Sequence, residues 1–121
     1  MINDSFTQTI TVDENQTAIK YGSGLLPVFA TPALIALMEN TAMHLLELPE
    51  GSSSVGISLN MKHLKATPVG ARVNCTAILA ETEGRKYSFK IEATDENGFL
   101  IGDCFHERVV VDINRFMSKL W

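Results

Sequence analysis

Apolar and polar residues alternate along most of this chain, and one stretch breaks the alternation. Between residues 31 and 48 (TPALIALMENTAMHLLEL) the apolar period lengthens from two to about 3.6, the spacing of a helix. Wound as a helix, Leu34, Ile35, Leu37, Met38, Ala42, Met43, Leu45, Leu46 and Leu48 cover well over half the circumference. Only Asn40, His44 and Glu47 share a clearly polar face. A helix apolar over that much of its surface is built to be wrapped rather than laid on a sheet. Thr31 reads as its N-cap, Pro32 as its first helical residue, and Leu48-Pro49-Glu50-Gly51 as its stop.

The remaining segments carry strand patterns. Phe6, Ile10 and Val12 alternate with Thr7, Thr9 and Thr11, a half-buried strand. After a turn at Asp13 to Gln16, Thr17 to Tyr21 reads as a second, short extended piece. Gly22-Ser23-Gly24 loosens the chain, and the apolar loop Leu25 to Phe29 leads into the helix, either as packing or as a pocket wall. Beyond the helix, Val55, Ile57, Leu59 and Met61 form the clearest strand, and His63 continues their register. Gly56 within it leaves room for a close approach. Two further alternating strands run through Val73 to Leu79 and Tyr87 to Ala93, and Asn97-Gly98 marks a hairpin. The last and longest strand, Phe99 to Val111, is apolar in both registers, as expected of a strand covered on both faces or lying in an interface. Strand, long helix, then four antiparallel strands predicts an α+β domain whose sheet wraps one central helix.

At 121 residues the chain suits one domain, residues 1–121, with a single core. A net charge of −4 argues against a nucleic-acid partner. Cys75 and Cys104 have no metal or redox spacing and read as buried hydrophobes in a reducing compartment. The start, MINDSFTQTI, has no signal-peptide pattern, and no apolar run is long enough for a membrane span. A cytoplasmic protein without metal or membrane partner is expected.

Three residues carry candidate chemistry. Glu39 lies close to Leu46 on the helix wheel, with Ile35 and Met43 one turn either side. An unpaired carboxylate there costs several kcal/mol, so it is paired, protonated or near water. It is either a helix-edge residue reaching solvent or a desolvated acid or base. His63 is either a satisfied histidine at a strand end or a proton carrier, and Thr31 either a cap or a site residue.

The motifs Phe29-Ala30-Thr31-Pro32 and Glu39, Ser54-Val55-Gly56, His63 and Ala66-Thr67-Pro68, then His106-Glu107-Arg108, point further. In that order, and over about Phe29 to Leu120, the chain resembles the fluoroacetyl-CoA thioesterase type of hotdog protein. The resemblance implies a hotdog fold and hydrolysis of a small or medium acyl thioester of coenzyme A, with no cofactor beyond the substrate itself. It puts a catalytic set on Thr31, Glu39 and His63, with Gly56 and Arg108 near the thioester and Leu25, Leu26 and Phe29 lining the pocket. Gly22, Leu25 and Leu26 stand where the fluoroacetyl-specific enzyme carries an aromatic lid, so the wider acyl-CoA class is the expectation. The competing reading is a hotdog that binds acyl-CoA without turning it over; a hydratase is disfavoured because its His and Asp arrangement is not evident. Unprotected sheet edges and the two-sided final strand further predict a homodimer with the site at or beside the interface.

Overall fold

The computed structural model describes residues 4–121; the first three residues of the stretch searched for a signal peptide lie outside it. Five strands, β1 (Ser5–Thr11), β2 (Ser52–His63), β3 (Arg72–Glu83), β4 (Lys86–Asp95) and β5 (Leu100–Asp112), form one antiparallel sheet in the order β1-β3-β4-β5-β2. The helix predicted from the change of period is α2 (Thr31–Met43), flanked by a short α1 (Ala18–Tyr21) and a terminal α3 (Ile113–Ser118). Leu34, Leu37, Met38 and Ala42 of α2 pack with Val73, Cys75, Ala77, Phe89, Ile91 and Ala93 of the sheet as the buried core. Each large side chain fully removed from water there contributes about 1.5–3 kcal/mol. This is the hotdog architecture.

Several local expectations change. Ala30, with extended φ/ψ of −72° and 142°, is the N-cap, and it makes no side-chain cap bond. Thr31 is therefore the first helical residue and Pro32 the second, so the Thr31 hydroxyl is free for other partners. The helix stops at Met43 rather than Leu48, with the His44 amide reaching back to the carbonyls of Asn40 and Ala42. Leu45 and Leu46 stay buried in the following turn, which is why the apolar pattern outlasts the helix. The segment read as extended from Thr17 to Tyr21 is α1, whose N-cap Thr17 accepts the Lys20 amide and whose C-cap Gly22 sits at φ 72°. Only Thr17 keeps extended character, bridging to Phe29.

The long final strand is not an edge. β5 lies between β4 and β2, and the edges are β1 and β2. Its alternate residues Gly102, Cys104, His106 and Arg108 are buried, whereas Phe105 is exposed. At Gly102 a Cβ would come within 3.0 Å of Leu34 Cδ2, so glycine there lets α2 settle on the sheet.

Candidate active site

The free Thr31 hydroxyl has a partner. Its Oγ1 lies 2.8 Å from Nδ1 of His63, which ends β2 beside the helix N-terminus. The far ring nitrogen, Nε2, is buried and has no hydrogen-bond partner among the described residues. Burial lowers the His63 pKa from its usual 6.5, against a smaller upward pull from the Lys65 backbone, so the ring is neutral at neutral pH. The pair opens on a cavity of about 290 Å³ whose walls include Val28, Phe29, Ala30 and Ala66. Because Ala30 offers no cap and Pro32 has no N–H, the first turn presents backbone amides with no side-chain acceptor toward this end of α2.

Glu39 sits elsewhere. Two helical turns and about 12 Å along the axis from Thr31, it joins Gly56, His106 and Arg108. Its Oε2 lies 3.8 Å from Arg108 Nη1, and its side chain is 42 % exposed, so the carboxylate is both near a cation and near water. Gly56 makes this approach possible, since a Cβ there would stand 2.8 Å from Glu39 Oε2 and 3.1 Å from His106 Cε1. The Arg108 guanidinium is buried and fixed from three sides. Its Nε donates to Ser54 Oγ at 2.9 Å, its Nη2 to the Ser54 carbonyl at 3.0 Å, and its Nη1 to His106 Nε2 at 3.2 Å. His106, 1 % exposed, donates from Nδ1 to the Ser58 carbonyl at 2.8 Å, which leaves Nε2 as the acceptor. Burial, reinforced by Arg108, lowers its pKa and keeps the ring neutral; the Ser58 bond and the Glu39 and Glu107 charges oppose this.

The candidates thus fall into two groups, Thr31 with His63 and Glu39 with Gly56 and Arg108. Phe29 is buried at the first. Leu25 and Leu26 stand in solvent, 92 % and 65 % exposed, and do not line the cavity beside Thr31. Sequence reasoning did not single out Ser54 or His106 as holders of Arg108. The signal available was the β5 register, which sends His106 and Arg108 to the same face. Lys65 borders the cavity, and its ammonium is engaged with Asp95 and lies over the Phe99 ring at 4.5 Å, pinning the β4–β5 hairpin. A larger hollow of about 510 Å³, bordered by Lys62, Lys90, Glu92 and Phe105, belongs to the opposite sheet face and contains none of the candidates. No cluster of potential metal ligands occurs among the described residues.

A sheet curled on one long helix, with polar side chains gathered along the β2 side of that helix, defines the class: a hotdog-fold protein of the thioesterase superfamily. The match to the family model described as "FlK: Fluoroacetyl-CoA-specific thioesterase" spans residues 12–114, and the chain belongs to that family of thioester hydrolases. It is 36 % identical over 95 residues to the fluoroacetyl-CoA thioesterase of Streptantibioticus cattleyicolor, covering 77 % of this chain and 68 % of the relative. A solved structure of the fluoroacetyl-CoA thioesterase FlK superposes with a TM-score of 0.91 at 30 % identity, covering 99 % of this chain and 94 % of the FlK chain. A FlK variant in complex with fluoroacetate and CoA gives 0.88 at 31 %, covering 96 % and 98 %.

Proposed function

We propose that this protein hydrolyses a small or medium acyl-CoA to the free acid and coenzyme A, using Thr31, Glu39 and His63. The observation that carries the reading is the Thr31–His63 hydrogen bond at an uncapped helix N-terminus, opening on a cavity. A thioester carbonyl lodged there meets backbone amides and the positive end of the helix dipole, which stabilise the oxyanion of the tetrahedral intermediate. Glu39 supplies the carboxylate, either taking the proton from an attacking water or attacking the carbonyl itself to form a mixed anhydride that a water then hydrolyses to the free acid, regenerating Glu39. The C–S bond breaks, and the neutral His63 ring, after accepting the proton released from water, passes it to the departing thiolate. Thr31 holds that ring in orientation. Binding of CoA by a related FlK variant supports the ligand class.

Glu39 and the Thr31–His63 pair are too far apart within one chain to act on one carbonyl, and the fold offers a way to unite them. Both groups lie along β2, at Gly56 and at His63, and β2 is an edge strand. Antiparallel pairing of two β2 edges about a two-fold axis runs the Gly56 end of one copy beside the His63 end of the other. Each Glu39 is thereby carried toward the second copy's Thr31–His63 pair. The working unit in this reading is a homodimer with two composite sites.

Thiol release across a panel of acyl-CoAs tests the proposal. Turnover of at least one short or medium acyl-CoA is expected. Tight binding of the panel without thiol release would instead identify an acyl-CoA-binding protein.

A further inference from the structure

The ten Lys and Arg residues of this acidic chain are unevenly spread. Lys65 is tied to Asp95, Lys86 to Glu107, and Arg108 is buried beside Glu39. Three others, Arg85, Arg115 and Lys119, line one cavity of about 200 Å³ together with Val111, Asp112 and Phe116. None of the three side chains forms a salt bridge among the described residues. The single carboxylate in the group, Asp112, is occupied as the N-cap of α3, accepting the Arg115 amide at 3.0 Å. Cations near the C-terminal end of a short helix are ordinary and favoured by its dipole. Arg85, however, comes from the β3–β4 turn and is held there by its carbonyl, which accepts the Val110 amide at 2.9 Å. Two separate elements therefore bring like charges to one hollow, an arrangement that repels itself unless an anion is shared between them.

We infer that this cavity binds the phosphates at the nucleotide end of coenzyme A, an assignment that rests on the acyl-CoA reading above. The geometry of the dimer specifies which site it serves. The Ile113 amide donates to the Gly51 carbonyl, so α3 is fastened at the start of β2, whereas His63 is at its end. Eleven residue steps of strand span roughly 36 Å, farther than an extended pantetheine arm reaches. Antiparallel pairing of β2 edges instead sets the start of one β2 beside the end of the other. The Arg85–Arg115–Lys119 cluster of one copy then flanks the mouth of the Thr31–His63 cavity of its neighbour, where the adenosine phosphates of a bound thioester emerge.

The test compares thioesters that share an acyl group and differ in phosphate content: acyl-CoA, acyl-dephospho-CoA and acyl-pantetheine. Each of Arg85→Gln, Arg115→Gln and Lys119→Gln should raise KM for acyl-CoA by roughly two- to fivefold, the range of an exposed ion pair. The triple variant should exceed tenfold, leave kcat on acyl-CoA unchanged, and lose the wild-type rise of KM with ionic strength. KM for acyl-pantetheine should not respond. An equal response by acyl-CoA and acyl-pantetheine, or none by acyl-CoA, overturns the assignment. If wild type hydrolyses none of the three, the activity reading fails but this site is still testable through binding of adenosine 3′,5′-bisphosphate. Weaker binding by the triple variant than by wild type then supports the cluster, and equal binding overturns it.

Discussion

Glu39 Oε2 faces Arg108 Nη1 across 3.8 Å, and both sit over Gly56 rather than beside His63. A carboxylate beside a buried guanidinium yet 42 % exposed is both oriented and reachable by water, as a base or nucleophile requires. Glu39→Gln should therefore lower kcat by on the order of a hundredfold or more. The fold should survive, because a half-exposed side chain contributes little to stability. Near-wild-type turnover of a confirmed substrate by Glu39→Gln would reject this carboxylate as the catalytic one.

His63→Ala should slow turnover far more than it weakens acyl-CoA binding, since proton transfer matters in the transition state while ground-state affinity rests on the coenzyme and acyl contacts. Thr31→Ser keeps the hydroxyl 2.8 Å from Nδ1 and should retain most of the activity; Thr31→Val should lose more. Measuring kcat and Kd separately decides it. A collapse of affinity with unchanged turnover of bound substrate would make His63 a binding residue.

How much of this was readable beforehand follows from where the information lies. The change of period at Thr31 located the only long helix among the described residues, and the alternation at Val55 to Met61 located β2, because burial on one face of a regular element writes a regular pattern. Thr31, Glu39, His63, Gly56 and Arg108 were reached through their motifs. Their division into two groups was foreshadowed by the eight-residue spacing on α2. The cap at Ala30 was not readable: a Thr followed by Pro is a normal N-cap signal, and the Thr31 hydroxyl is instead engaged with His63, 32 residues away. The sequence left β5 either covered on both faces or in an interface, and its place between β4 and β2 follows from strand order, which no local pattern carries. The bonds from Arg108 to Ser54 and from His106 to Ser58 join residues about fifty positions apart, beyond any local pattern.

Gly56→Ala separates catalysis from folding. The new methyl would meet Glu39 Oε2 at 2.8 Å and His106 Cε1 at 3.1 Å. The carboxylate is the free end of a flexible side chain and can swing away, whereas the His106 ring is fixed by Ser58 and Arg108. We expect a kcat loss of roughly tenfold or more, because displacing Glu39 by about 1 Å takes the carboxylate out of reacting geometry. Stability should fall by about 1–3 kcal/mol, the range typical of overpacking. Unchanged kcat would show that the Glu39 position seen over Gly56 is irrelevant to turnover.

Acid sensitivity has a defined sign. His63 and His106 both have folded-state pKa values below the usual 6.5. As pH falls through 6.5 the unfolded chain takes up protons that the folded rings refuse, so stability declines with falling pH until the folded values are passed. Protonating His106 would also convert the acceptor of Arg108 Nη1 into a second cation beside it. Urea midpoints measured from pH 7.5 downward should fall below pH 6.5, and His106→Gln should flatten that fall. The same slope in wild type and variant would remove His106 from the explanation.

The β2 edge provides the last test. Ile57 is a large apolar residue on an edge strand, 53 % exposed at the irregularity between Gly56 and Ser58. Open edges invite pairing with another chain, and nothing among the described residues covers this one. If two copies join there, a charge introduced at the seam must be desolvated against the partner and is strongly unfavourable. Ile57→Asp should therefore give a monomer by solution mass measurement at micromolar concentration, with its circular dichroism retained. Its thioesterase activity should fall with the dimer, because Glu39 of one copy would no longer reach the other's Thr31–His63 pair. A monomer that keeps full activity, for wild type or variant, would defeat the composite site and restore a single-chain arrangement of the three residues.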